Sequence, residues 1–455
     1  MNRKIFLIAL CALFTLSGLT SAQSATSLIF WSTEEQPERV QATQAIIERF
    51  TAETGIQVAL VATNEDILDS LMAANLAAGS LPDVIFHPVD YAASWYNEGI
   101  LSSTAATRVI EELGKDQFSA LNLVDDGMGS YVSVPTDGWG QVLVYRKDLF
   151  DAAGLAAPID FDSIMTAAQT LNDPDNNFYG IVAATDPGAV FTQQTFEHFA
   201  LANGVQLTDD EGNVTMDTPA MVGALQFYTD LVGQYGPPGV VDVVSSRDTY
   251  FAGQAAMIVW SPFILDEMAG LRDNALPNCP ECTDDPAFLA KNSGFVPSFI
   301  GPNGSEPAQY GQVSLMGIST SAPEDEAVQF VEFWLSEGYL DWLAVSPEGK
   351  FPMRRGTPDN PTEYVEGWST LQTGVDHKAP LGDFYSQDVI NTIAEGANGF
   401  ARWGLAQGQG QLVGAVYQDL TVPRAISNIL NGAATPEEAA AQIQTDVQDL
   451  QASLE

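Results

Sequence analysis

Between Ser27 and Phe86, three short apolar runs alternate with two helical stretches that each end in glycine. No other feature restricts the fold so strongly. Leu28-Ile29-Phe30-Trp31 makes the first run, and Thr43, Ile46, Ile47 and Phe50 then recur on one helical face. Gly55 closes that helix, after which Ile56, Val58 and Leu60 alternate as a strand. The second helix is expected to turn Ile67, Leu68, Leu71 and Ala74 inward, to stop at Gly79, and to lead into the strand Pro82-Asp83-Val84-Ile85-Phe86. Strands and helices in strict alternation with short joints predict a parallel α/β sheet. Ligands of such sheets sit beyond the carboxyl ends of the strands. Residues Trp31–Glu35 and His87–Tyr91 are therefore expected to open onto one cleft.

Ahead of this pattern, Arg3 and Lys4, the apolar run Ile5–Leu16 and the small residues up to Ala25 read as an export signal over residues 1–25. The run is shorter than the ~20 residues a membrane-spanning helix needs. Cys11 follows Leu10 and lies inside the apolar run, so lipid anchoring is not expected. A periplasmic or secreted protein is. The remaining ~430 residues exceed what one hydrophobic core usually supports, which points to two domains. Beyond the leader, 15 basic residues face 59 acidic ones, a net charge of −44. Such a surface repels nucleic acid and anionic membranes. The chain has only six lysines, which together with the acidity suits a saline habitat.

Later segments repeat the alternation. Tyr131–Leu155 carries two strand-like runs around Asp137-Gly138-Trp139, then a short helix; Phe178–Ala184 reads as a strand, Leu207–Met216 as a hairpin, and Ala255–Trp260 as a buried strand that again ends in tryptophan. Thr435-Pro436-Glu437-Glu438 is a capping box ahead of a helix with Ile443, Val447, Leu450 and Leu454 on one stripe. Cys279 and Cys282 form a lone C-x-x-C. The three histidines (His87, His198, His377) offer no matching zinc spacing, and a small-loop disulfide is expected. The Asp173 run departs from a calcium loop at Phe178 and Ala184. No nucleophile elbow, phosphate loop or metalloprotease motif occurs. Neither metal nor cofactor is expected.

Taken in order, "LIFWS…ERFTAETGIQV", "LAAGSLPDVIFHPVDYAASWYNEGIL", "YVSVPTDGWGQVLVYRKDLFDAAGL", "YFAGQAAMIVWSPFIL", "FVPSFIGPNG…GISTSAP…AVQFVEFWLS" and "ILNGAATPEEAAAQIQTDVQDL" resemble the large extracellular solute-binding proteins of bacterial ABC importers, the carbohydrate-binding family that includes maltose-binding protein. The resemblance implies an α/β, two-lobed periplasmic-binding-protein architecture with three hinge crossings and a ligand cleft between the lobes. The expected boundaries are residues 26–134 plus 296–346 for lobe 1 and 135–295 plus 347–455 for lobe 2. Lobes of this family close over ligand by hinge bending, and only contacts from both lobes shift the open–closed balance.

By position in the family, Glu34 and Glu35, Asp90 with Tyr91, and Trp260 are candidate ligand contacts. Trp139 and Trp403 are further candidate platforms, and Arg354 and Arg355 candidate hydroxyl donors. A ring covers the apolar face of a sugar, and carboxylates accept hydrogen bonds from its hydroxyls. Other roles stand beside these: Trp31 as core, Glu34 and Glu35 as charges at a helix N-terminus, one arginine as a surface ion pair. The resemblance implies capture of a small carbohydrate or glycoside by a monomer, handed to the permease subunits of an ABC importer, with no bond made or broken. Two alternatives remain at this point: a non-sugar solute such as a polyamine, and a secreted glycoside hydrolase. Where the family's best-known member has an Asp–Lys pair after the first strand this chain has Glu34-Glu35, and Tyr91 replaces an arginine beside Asp90. Maltodextrin specificity is therefore not carried over.

Overall fold

The structure, a computed structural model, describes residues 27–454; the expected leader with Cys11 lies outside the described residues. The first strands are β1 (Ser27–Ser32), β2 (Gln57–Ala62) and β3 (Val84–Pro88), with β1 parallel to both neighbours. Helix α1 (Pro37–Thr54) starts with proline where the missing N–H costs nothing, ends at Gly55 in the left-handed region (φ 79°), and buries Thr43, Ile46, Ile47 and Phe50. That face meets Phe30 through Phe330, whose ring lies 5.4 Å from Phe30 and 5.1 Å from Phe50. Helix α2 (Leu68–Ala78) differs from its expected phase. It buries Leu68 and Met72, while Ile67 is half exposed and Ala74 faces solvent. The reason is local: Glu65–Ile67 form a 3₁₀ turn that resets the helical phase at Leu68.

The large sheet then adds strands from distant sequence. Its order is β2-β1-β3-β8-β4-β9, with β4 at Val134–Gly140, β8 at Gln309–Ile318 and β9 at Phe351–Pro352. Strand β8 runs antiparallel to both β3 and β4, so the sheet is mixed rather than wholly parallel. A smaller antiparallel sheet of order β6-β5-β7 (Met257–Trp260, Val142–Arg146 and Ser293–Val296) forms the core of the second lobe. Phe178–Ala184, expected as a strand, joins this sheet only through single bridges at Tyr179 and Val182. The closing capping box forms as expected, Thr435 and Glu438 each accepting from the other's N–H.

Strand pairing moves each lobe boundary towards the C-terminus. All of β4 lies in the large sheet, so the first crossing falls at Gln141, not before residue 135. After β7 the chain stays on the second lobe, where Ile300 bridges Asp160 and Gly301 donates to the Ala202 carbonyl, and crosses only as it enters β8. Strand β9 pairs with β4, and the Trp368 ring meets Phe351, so residues 347–369 belong with the first lobe. Strands β4 and β8 thus run up to the junction between the lobes from the side of the large sheet. Cys279 and Cys282 are joined in a disulfide within the second lobe. Among the described residues no helix is long and apolar enough to cross a membrane.

Candidate functional site

The tight loop after β1 is held by Ser32, whose hydroxyl accepts from the Glu34 N–H at 3.2 Å. This turns the Glu34 side chain inward, where it is 8 % exposed and lies 2.7 Å from Arg39 and 2.5 Å from the Lys350 ammonium. Burial pushes the Glu34 carboxyl up, but Lys350 and Arg39 outweigh it and hold it below its ordinary value. Lys350 stands just before β9. It also lies 3.4 Å from Asp137 of β4, and its ammonium sits 4.1 Å from the centre of the Trp342 ring. Asp137 accepts from the Trp342 indole at 2.7 Å and from the Thr136 hydroxyl at 2.9 Å; burial nevertheless raises its carboxyl. Glu35 points outward and accepts from the Asn64 amide at 3.0 Å.

A second cluster forms where β3 ends. Asp90 accepts from the Gln312 amide at 2.8 Å and lies 3.4 Å from Arg402. Arg402 is buried between Asp90 and Glu197, lies 3.4 Å from the latter, covers the Tyr310 ring at 4.7 Å, and donates to the Gln312 side-chain oxygen. Burial disfavours its charge, yet the surrounding carboxylates and tyrosines raise its affinity for the proton. Glu197 is held in turn by the Trp403 N–H at 2.9 Å and the Tyr417 hydroxyl at 2.6 Å, while burial still raises its carboxyl. The tip of the helix Gly410–Asp419 presses on the same place: a Cβ on Gly410 would lie 2.0 Å from the Asp90 carbonyl oxygen. Asp90 belongs to the first lobe, and Glu197 and Gly410 to the second, so the lobes are in contact here.

Aromatic rings connect the clusters. Trp139, half-buried at the end of β4, lies 5.8 Å from Tyr310 and 6.4 Å from Phe263. Phe263 packs on Gly349, where an added Cβ would be 2.6 Å from its ring, beside Lys350. Trp260 ends β6, pairs with Val142 and meets Phe191 edge-on at 4.9 Å. A continuous floor therefore runs from Glu34 through Lys350, Phe263, Trp139 and Tyr310 to Arg402 and Asp90.

Of the residues singled out from sequence, Glu34, Asp90 and Trp139 lie along this floor, while Trp260 is buried against Phe191 at the end of β6. Tyr91 follows Asp90 but stacks on Trp95 at 5.0 Å. Trp403 does not reach the floor. It is 1 % exposed, its indole donates to the Val205 carbonyl at 3.2 Å, and it packs within the second lobe. Arg354 and Arg355 are also corrected. Arg354 is buried and donates to the carbonyls of Leu335 and Leu113, which close the helices Glu324–Trp334 and Ser103–Glu112, and Arg355 donates to that of Asp116 in the turn that follows the second of these, so both hold first-lobe backbone together. The C-terminal carbonyls of helices have no partner within their own helix, and a guanidinium serves them well. Sequence reasoning missed Lys350, Asp137, Gln312 and Arg402. The available signal was a rare lysine in the apolar run Gly349-Lys350-Phe351-Pro352 and an arginine directly beside Trp403.

The pattern of the bacterial extracellular solute-binding protein family matches residues 34–340, and the chain belongs to that family. Among its relatives is the putative ABC transporter periplasmic-binding protein YcjN of Escherichia coli (strain K12), 29 % identical over 437 residues, 93 % of this chain and 95 % of that protein. A mannitol-binding protein of Pseudomonas aeruginosa is 28 % identical over 188 residues, 39 % of this chain and 42 % of its own length. The structure also matches the sugar-binding protein MalE from Xanthomonas citri, with a TM-score of 0.69 at 17 % identity over 94 % of this chain and 98 % of that one. That likeness confirms the two-lobed α/β fold.

Proposed function

We propose that this chain captures a small carbohydrate outside the cytoplasm and delivers it to the permease of an ABC importer, without catalysing a reaction. The observation that carries the proposal is the floor between the lobes, where the partly exposed rings of Trp139 and Phe263 lie on the same line of contacts as the hydrogen-bonding side chains of Gln312 and Asp90. Rings take up the C–H faces of a sugar, and the polar groups take up its rim. Relatives described as sugar- and mannitol-binding support the same class of ligand. A polyamine is disfavoured because Glu34, Asp137, Asp90 and Glu197 already face Lys350, Arg39 or Arg402. The same pairings leave no free carboxylate pair here for glycoside hydrolysis.

Calorimetry of residues 26–455 against a panel of neutral sugars and polyols tests the proposal. At least one compound should bind with micromolar or tighter affinity, and Trp260→Ala should weaken it at least tenfold. Binding of none below millimolar, or release of reducing ends at catalytic protein levels, would overturn it.

A further inference from the structure

Two arginines are each shared between a carboxylate of one lobe and a carboxylate of the other. Arg272 lies 2.6 Å from Asp266 of the second lobe and 3.7 Å from Glu348 of the first. Arg402 lies 3.4 Å from Glu197 of the second lobe and 3.4 Å from Asp90 of the first. The helix Ile264–Met268, which carries Asp266, is fixed to the second lobe: the Tyr385 hydroxyl donates to the Leu265 carbonyl at 2.7 Å, and the Tyr385 ring meets Phe295 of β7. Glu348 is held on the first lobe by the Ser346 hydroxyl, which donates to it at 3.0 Å and accepts from Arg39 at 3.5 Å.

The two ends of each bridge differ in burial. The side chains of Asp266 and Glu197 are 0 % exposed, whereas those of Glu348 and Asp90 are 13 % and 27 % exposed. A charge left alone in the interior is strongly disfavoured, so each arginine stays with its second-lobe carboxylate when the lobes part. The first-lobe carboxylate is the partner that can be released, because water already reaches it. Each bridge also stands beside a close glycine contact across the lobes. Phe263 packs on Gly349, next to Glu348, and the Asp90 carbonyl packs on Gly410. The bridges thus sit at opposite ends of the floor, with the same polarity.

We infer that Arg272 and Arg402 are a pair of salt-sensitive clasps, which draw the lobes together through the protein's own charges and loosen as ionic strength rises. A guanidinium stays charged at any working pH, so salt rather than acidity is the lever. Pairs with a partly exposed member are individually weak, and they are screened as the Debye length falls from about 30 Å at 0.01 M to about 3 Å at 1 M salt. The remaining acidic surface works the other way, since lobes of like charge repel most at low salt. Clasps therefore open the molecule as salt rises, whereas repulsion alone would close it. They act whatever solute the cleft takes.

The experiment is small-angle scattering of residues 26–455, unfolded and refolded beforehand to strip any carried solute, in about 0.01 M and about 1 M sodium chloride. Wild type, Glu348→Gln, Asp90→Asn and the double variant are compared, with a melting curve for each. The radius of gyration of wild type should increase from low to high salt. At low salt the double variant should already be as large as wild type at high salt, with each single variant in between. Loss of two negative charges would make the double variant smaller if repulsion were in control, so the sign of the change separates the two causes. Melting temperatures should move little, because both arginines keep their buried partners. A wild type that contracts or stays the same size as salt rises would overturn the inference. So would a double variant no larger than wild type at low salt. If the variants fail to fold, the salt response of wild type decides.

Discussion

The Lys350 ammonium lies 2.5 Å from the Glu34 carboxylate, joining the loop after the first strand to the last strand of the large sheet. Asp137 accepts the same cation at 3.4 Å. All three groups are less than a tenth exposed. The lysine is the one cation the two carboxylates share, with Arg39 adding to it at Glu34 and the Trp342 indole at Asp137. The arrangement fixes the shape of one end of the cleft before any ligand arrives.

Replacing that lysine should therefore be costly. Lys350→Met leaves Glu34 and Asp137 buried without this cation, and breaking a buried pair typically costs about 3–5 kcal/mol. The triple variant with Glu34→Gln and Asp137→Asn should recover much of the loss, since it removes the orphaned charges as well. Urea unfolding of both proteins checks this. Equal stabilities for the single and triple variants would show that the pairing has no energetic role.

Gly410 offers a test of lobe contact that leaves each core untouched. Its missing Cβ is the space into which the Asp90 carbonyl fits, at 2.0 Å. Gly410→Ala should hold the lobes apart, lower ligand affinity about tenfold or more, which is roughly 1.4 kcal/mol, and enlarge the radius of gyration of the liganded protein in solution scattering. Thermal stability without ligand should change little. Unaltered affinity and scattering would count against a role for this contact in closure.

His87 sets an acid limit on stability. Burial pushes its imidazole down to about 4, and the ring is held by Ser133 at 3.1 Å and the Pro88 carbonyl at 2.9 Å. The unfolded chain takes up a proton near pH 6.5, whereas the folded one does not until about pH 4. Stability from this group is thus complete above pH 6.5 and is lost as pH falls from there towards 4, by about 3 kcal/mol. Asp137 and Glu197, raised by burial, act in the other direction. The difference between wild type and His87→Gln therefore isolates the histidine, and its unfolding free energy should vary with pH across that window. A pH-independent difference would contradict the assignment.

Trp403→Ala separates packing from recognition. The ring is 1 % exposed inside the second lobe, and its loss should cost about 3–5 kcal/mol while the folded fraction keeps the wild-type ligand affinity and preference. Chemical denaturation with calorimetry on the same sample measures both. A changed ligand preference in a protein of unchanged stability would restore Trp403 as a platform.

Local periodicity carried much of the fold. The inner face of α1, the β1–β3 alternation and the Thr435 capping box all follow from contacts within a few residues, and all formed as expected. The parts that failed depend on distant partners. Nothing near Trp403 shows that Phe196 and Val205 will enclose it, and nothing near Arg354 shows that the Leu113 carbonyl needs a donor. The floor of the cleft was half legible for the same reason. Strand-end position made Glu34, Asp90 and Trp260 candidates, whereas Lys350 and Arg402, which pair with Glu34 and Asp90, come from segments far away in sequence.

The middle strand of the large sheet also governs when the molecule can assemble. Strand β8 is the bridge between β3 and β4, and the Thr136 hydroxyl reaches the Ser314 carbonyl across 178 positions of sequence. Until the ribosome has released that strand, the earlier ones have an open edge and no completed core. Contacts so distant in sequence are also slow to form. A polypeptide built this way completes its main sheet only late in its synthesis.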